Sequence, residues 1–212
     1  MVDLLRVFSP DPTTNCRRWS ARTLLSAAVL GAALTGPLEA GDSDIDVSVG
    51  DNARAATGPA GDSVVVFESD DADDDGVFAG RYDTNGALVG QLFQVNVTTL
   101  GDQSEPDVVW LESGDFIVVW RTDALKGATI QKRRFAADGS PLSGEVQVGA
   151  ATLDPESPRI AADALSRYTV AWADAGGLMQ QRFDSAGMTL GAEQTVTLAE
   201  VEDPTLAVDG GG

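Results

Sequence analysis

Histidine is absent from the 212-residue chain, and cysteine occurs once, at Cys16. The first absence excludes Ser-His and Cys-His nucleophiles, His-ligated zinc and the commonest general base. The second excludes an intrachain disulfide. Basic residues are scarce, 14 Lys and Arg against 33 Asp and Glu, for a net charge of −19. A nucleic-acid binder must neutralise phosphates with Lys and Arg, so nucleic acid is excluded as a partner, and docking on anionic membrane is excluded likewise. Beyond residue 40 there is no helical periodicity and no apolar run of membrane-spanning length. What remains for chemistry is carboxylates, Lys, Tyr and Ser/Thr. What remains for partners is cations, basic surfaces and neutral glycans. Hydrophobic residues make up 43% of the chain, enough for a packed core.

The first forty residues read as an address. Arg17, Arg18 and Arg22 precede the apolar run Leu24 to Leu34, which is followed by Gly36-Pro37 and a small residue at Ala40. Charge, short apolar stretch, breaker and small residue, in that order, make a secretory signal peptide over 1–40. The expected destination is secreted, cell-surface or periplasmic. Cys16 leaves with the leader.

The rest is a repeat. "GDSVVVFE", "GDFIVVWR" and "SRYTVAWA" align, placing Phe67, Trp120 and Trp172 at one position, 53 and 52 residues apart. Each is followed by a polar loop and a second stretch, "GRYDTNG", "RRFAADG" or "QRFDSAG". A third stretch comes next, and a fourth opens with Pro106, Pro158 or Pro204. A fixed period of this size signals stacked modules. Asn85-Gly86 and Asp138-Gly139 mark turns, and proline at a strand start gives up an N–H where it costs least. The expected fold is all-β: tandem four-stranded repeats of propeller-blade type, forming a partial propeller. The boundaries are a partial leading repeat at 41–60 and units at 61–113, 114–165 and 166–212. Phe67, Trp120 and Trp172 are expected to pack between blades, and Asn96, although it opens an Asn-Val-Thr triplet, reads as a strand-end asparagine. Half a leading unit with no trailing complement implies a truncated product, a fragment, or a chain that pairs with another copy through an open repeat edge.

The pattern "PDVVWLESGDFIVVW", the "RYDTNG" turn and "GQLFQVNVTTLGDQSEP" resemble tandem repeats of large secreted or surface proteins of bacteria. The resemblance spans Asp46 to Gly212. It implies a propeller-type fold and calcium-binding or adhesion-like roles, and it carries no catalytic residue.

Five aspartates, Asp70, Asp71, Asp73, Asp74 and Asp75, precede Gly76. Asp71, Asp73 and Asp75 with Gly76 match the opening of a calcium loop, in which alternate carboxylates converge on a hard cation and glycine allows the turn. The twelfth position is Tyr82, where an EF-hand places glutamate, and the corresponding loops of the other units lack the cluster. Asp71, Asp73 and Asp75 are therefore candidate calcium ligands, with a solvated loop as the competing reading. The leading functional expectation is an exported, non-enzymatic binding or structural module for an extracellular protein or glycan. A secreted carbohydrate-active propeller enzyme, acting through paired carboxylates, is the alternative. A fragment without independent function is the third reading.

Overall fold

A computed structural model of the chain describes residues 50–124, 127–150, 154–197, 204, 206 and 207. The leader and residues 41–49 of the leading repeat lie outside these residues. The described chain is all-β, with no helix, and forms three four-stranded antiparallel sheets. Sheet one holds β1 (Asp51–Thr57), β2 (Ser63–Asp70), β3 (Asp75–Tyr82) and β4 (Phe93–Gln94). Sheet two holds β5 (Asp102–Trp110), β6 (Phe116–Ala124), β7 (Gly127–Phe135) and β8 (Val146–Val148). Sheet three holds β9 (Glu156–Ala162), β10 (Tyr168–Asp174), β11 (Gly177–Phe183) and β12 (Gln194–Thr197). Each is a meander in chain order, and the first strands β1, β5 and β9 lie side by side. These are blades of propeller type, with the first strands innermost.

The sheets are phased one strand earlier than the units read from the sequence. The stretch opening with Pro106 or Pro158 belongs to the first strand of its own sheet and is not the fourth of the preceding one. Likewise "DNARAAT" is the full inner strand β1 of sheet one, paired with β2 along its length.

Alternation along the second strands builds the core. In β6, Phe116, Val118 and Trp120 face sheet one, while Ile117 and Val119 face sheet three. Trp120 and Trp172, at 0% and 1% exposure, fill the two inter-sheet layers, and Phe67 lies equally buried on the far face of sheet one. The expected inter-blade packing is thus present at Trp120 and Trp172, whereas Phe67 packs within sheet one on the face turned away from sheet two. Burial of side chains this size is worth about 1.5–3 kcal/mol each. Gly149 is required beside Trp172, since a Cβ there would lie 2.7 Å from the indole ring.

Each inner strand carries a bulge at one place. The pairing shifts between Asp51 and Arg54 in β1, between Ser104 and Asp107 in β5, and opposite Ala171 to Ala173 in β9. Asn52, Glu105 and Ser157 sit at these bulges with φ of 50°, 54° and 49°. Left-handed backbone at three non-glycine residues costs on the order of 1 kcal/mol or more each, and persists only where the surroundings impose it. Pro106 and Pro158 follow, where no ladder hydrogen bond is lost.

Candidate carboxylate face

The starts of β1, β5 and β9 and the ends of β2, β6 and β10 share one edge of the sheets, since Asp51 pairs with Glu68, Asp102 with Asp123 and Glu156 with Ala173. The β2–β3 turn, carrying the aspartates, opens on this same edge. Carboxylates from two blades meet there.

Within the turn, Asp71 N–H donates to Asp74 O at 2.8 Å, and Asp73 N–H donates to Asp71 Oδ1 at 3.0 Å. Asp71 Oδ2 accepts from Gln94 Nε2 at 2.7 Å, and Asp73 Oδ2 accepts from Gly101 N–H at 2.9 Å. Asp75 begins β3 and pairs with Asp70. The three candidate calcium ligands are therefore turned to separate partners. Among the described residues no group of three or more Asp, Glu, Cys or His is arranged to hold a metal ion. Burial, and then the charges of Asp70, Asp74, Asp51 and Asp71, push the Asp75 carboxyl above its ordinary range.

Asn96 and Gln103 support this edge from below. Asn96 is 4% exposed; its Oδ1 accepts Val77 N–H at 2.9 Å and its Nδ2 donates to Gln103 Oε1 at 2.7 Å. That fits a structural strand-end asparagine, since a glycan needs an exposed one. Gln103, wholly buried, donates to Gly101 O at 2.7 Å. The pair ties the end of blade one to the start of blade two beneath Asp102.

Three further carboxylates belong to this edge. Asp102 is pushed upward by burial, then by Asp75 and Asp74, against the opposing pull of Arg121 and Ser104. Its Oδ1 is buried without a hydrogen-bond partner among the described residues. Glu68, only 7% exposed, is raised mainly by burial, with Asp102 and Asp75 adding to it. It accepts both Asn52 Nδ2, at 2.9 Å to each oxygen, and the backbone N–H of Glu105. Glu105 in turn accepts Ser157 N–H at 2.5 Å. Acid to bulge N–H is thus the link from blade to blade, and it holds the strained φ values in place. One step deeper, the buried Asp107 accepts Ile160 N–H at 2.9 Å and is raised by burial, with Arg159 and Arg54 opposing.

Sequence reasoning singled out the turn and missed Glu68, Asp102 and Glu105. A signal was there: Asn52, Glu105 and Ser157 recur 53 and 52 residues apart, the spacing of the buried aromatics.

No family model and no curated protein matches the chain. Solved structures do. A protein of unknown function from Dyadobacter fermentans superposes with a TM-score of 0.52 at 13% identity, over 65% of this chain and 39% of that one. A glycosyl hydrolase from Bacteroides ovatus gives 0.45 at 12% identity, over 69% and 51%. An α-L-arabinofuranosidase from Podospora anserina, solved with cellotriose, gives 0.45 at 10%, over 78% and 56%. At these identities the likeness concerns the fold, and the chain spans about 39–56% of the length of these three.

The expectation that the chain is not an enzyme is corrected. Glycoside hydrolases stand among the similar solved structures. The aspartate turn also does not stand alone as a solvated loop: it adjoins Glu68, Asp102 and Glu105 where the inner strands begin.

Proposed function

We propose that this chain supplies blades of an exported, propeller-type carbohydrate-active enzyme, with Asp102 and Asp75 as its acid–base pair. The observation that carries the reading is Asp102: a carboxyl raised by burial and by Asp75, with one buried oxygen that has no hydrogen-bond partner among the described residues. A carboxyl of that kind holds its proton to higher pH than an ordinary aspartate and can donate it to the oxygen of a departing sugar. Asp75, nearer solvent at the turn, is placed to take a proton from the attacking water. Asp71 and Asp73 have different work, since their bonds to Gln94 and Gly101 set the turn that presents Asp75. Neutral glycans suit a chain this acidic, because anionic ones would be repelled.

The test is a panel of neutral aryl glycosides and oligosaccharides, run with the full chain and with Asp102→Asn and Asp75→Asn. Turnover of one substrate that falls at least 100-fold in each variant, with the strand spectrum in circular dichroism unchanged, is the expected result. No turnover across the panel, or turnover indifferent to both substitutions, refutes the assignment.

A further inference from the structure

The contacts that join one blade to the next recur, and one of them stops half-made. Arg81, on β3, donates from Nη1 to the carbonyl of Asp138 in the turn after β7, at 2.6 Å. Arg134, at the equivalent place on β7, donates from Nη1 to the carbonyl of Ser185 in the turn after β11, at 2.7 Å. The equivalence follows from register: Arg81 pairs with Val64, Arg134 with Ile117 and Arg182 with Thr169. Each arginine thus reaches from its own sheet to the turn of the following sheet.

Arg182 is the third of the series and is exposed. Among the described residues its guanidinium meets no carbonyl and no carboxylate. Arg134 is also anchored inside its own sheet, by the Asp115 carboxylate at 2.7 Å. The position corresponding to Asp115 in sheet three is Arg167, itself committed to Asp163 at 2.6 Å. A neighbouring cation cannot anchor Arg182. At the other end of the series the deficit is the opposite one. The turn Asp83 to Gly86 after β3 has the same closure as the turns that receive Arg81 and Arg134, with Gly86 N–H donating to Asp83 O at 2.9 Å. Its Thr84 and Asn85 are exposed, and among the described residues their carbonyls accept nothing.

We infer that Arg182 of one copy of this chain clasps the Asp83–Gly86 turn of a second copy, so that sheet three of one packs beside sheet one of the other. The contact repeats across the copy boundary what Arg81 and Arg134 do within the chain. It is heterologous, and it closes when made twice, bringing six sheets around one axis. Propellers of four to eight blades are typical. Among the described residues the turn of sheet one lacks a donor and Arg182 of sheet three lacks an acceptor, so one chain carries both halves of the contact.

Sedimentation of the full chain with Cys16→Ser, across micromolar concentrations, is expected to show a monomer–dimer equilibrium that Arg182→Glu weakens at least tenfold. Single-cysteine variants in that background locate the contact. Arg182→Cys mixed with Asn85→Cys and treated with a short bismaleimide is expected to give a crosslinked heterodimer. Neither variant alone is expected to crosslink. A chain that stays monomeric at all concentrations overturns the inference, as it would if Arg182 served a further blade in cis. Association indifferent to Arg182→Glu, or crosslinking of Arg182→Cys with itself, overturns it as well.

Discussion

Ser166 holds a left-handed backbone, φ 59°, in the turn between β9 and β10. Gly61 and Gly114 occupy the same place in the other two inner turns, with φ of 86° and 91°. Each of the three turns closes by the same pair of backbone bonds, Ser166 N–H to Asp163 O at 2.9 Å in sheet three. A side chain at such φ is strained, and glycine is not. The compensation at Ser166 is slight, since its Oγ accepts Ser113 N–H at a long 3.3 Å. Ser166→Gly is therefore expected to raise stability by about 1 kcal/mol, read as a shift of the urea midpoint with unchanged slope. A loss of stability instead would mean that the Ser113 bond outweighs the strain. The turn was legible in the sequence, because aligning "SRYTVAWA" on "GDSVVVFE" places Ser166 on Gly61. Asp102 was not legible. Its environment comes from Asp75, on a different sheet, and from burial that only packing creates.

Between elements, repetition recovers the number and order of strands but not which four form a sheet. A period is unchanged by where it is cut, and only the hydrogen-bond partners of β1, β5 and β9 fix the phase. The inter-sheet layers also hide polar exceptions. Lys132 occupies the β7 position that is Ala79 in sheet one and Gln180 in sheet three, by register with Val119, Val66 and Ala171. It is 6% exposed, donates to Tyr168 Oη at 2.6 Å and lies 3.6 Å from the centre of the Phe183 ring. Burial, with some help from Arg134, lowers its amine from 10.5 to about 8, and burial raises the Tyr168 phenol from 10.0 to about 12. Between pH 8 and 10.5 the unfolded chain binds more protons at Lys132 than the folded one does. Stability therefore rises with pH through that window, by at most on the order of 3 kcal/mol. Above pH 10 Tyr168 acts oppositely, since the folded chain keeps the phenolic proton to about 12. Denaturant midpoints are thus expected to climb from pH 8 to near 10 and then fall. Lys132→Met is expected to flatten the climb. A climb of equal size in that variant would show that it arises elsewhere.

Over the whole molecule, charge of one sign dominates, and the folded state concentrates it. Glu68, Asp75, Asp102 and Asp107 all carry carboxyls raised chiefly by burial, the reverse of the usual salt-bridged carboxylate. Below their ordinary range both folded and unfolded chains hold these protons, and the stability they confer is complete. It is lost as pH rises through the raised folded values, because the unfolded chain gives up its protons first. Asp83, Asp138 and Asp163 run the other way, the first two lowered by backbone N–H groups of their own turns, where solvent screens them, and Asp163 chiefly by Arg167. The buried set wins, and the melting temperature is expected to be higher near pH 5 than near pH 8. Sodium chloride at pH 8 is expected to recover part of the difference by screening a net charge of −19. This setting also tests the turn read from the sequence as a calcium loop. A divalent ion at Asp71, Asp73 and Asp75 must compete with Gln94 and Gly101 for carboxylate oxygens, while relieving the repulsion around Asp75. If the loop takes calcium, millimolar calcium raises the melting temperature at pH 8 beyond sodium chloride of equal ionic strength, and Asp73→Asn removes that excess. If the two salts act alike, the aspartates serve the turn and its acid–base chemistry alone.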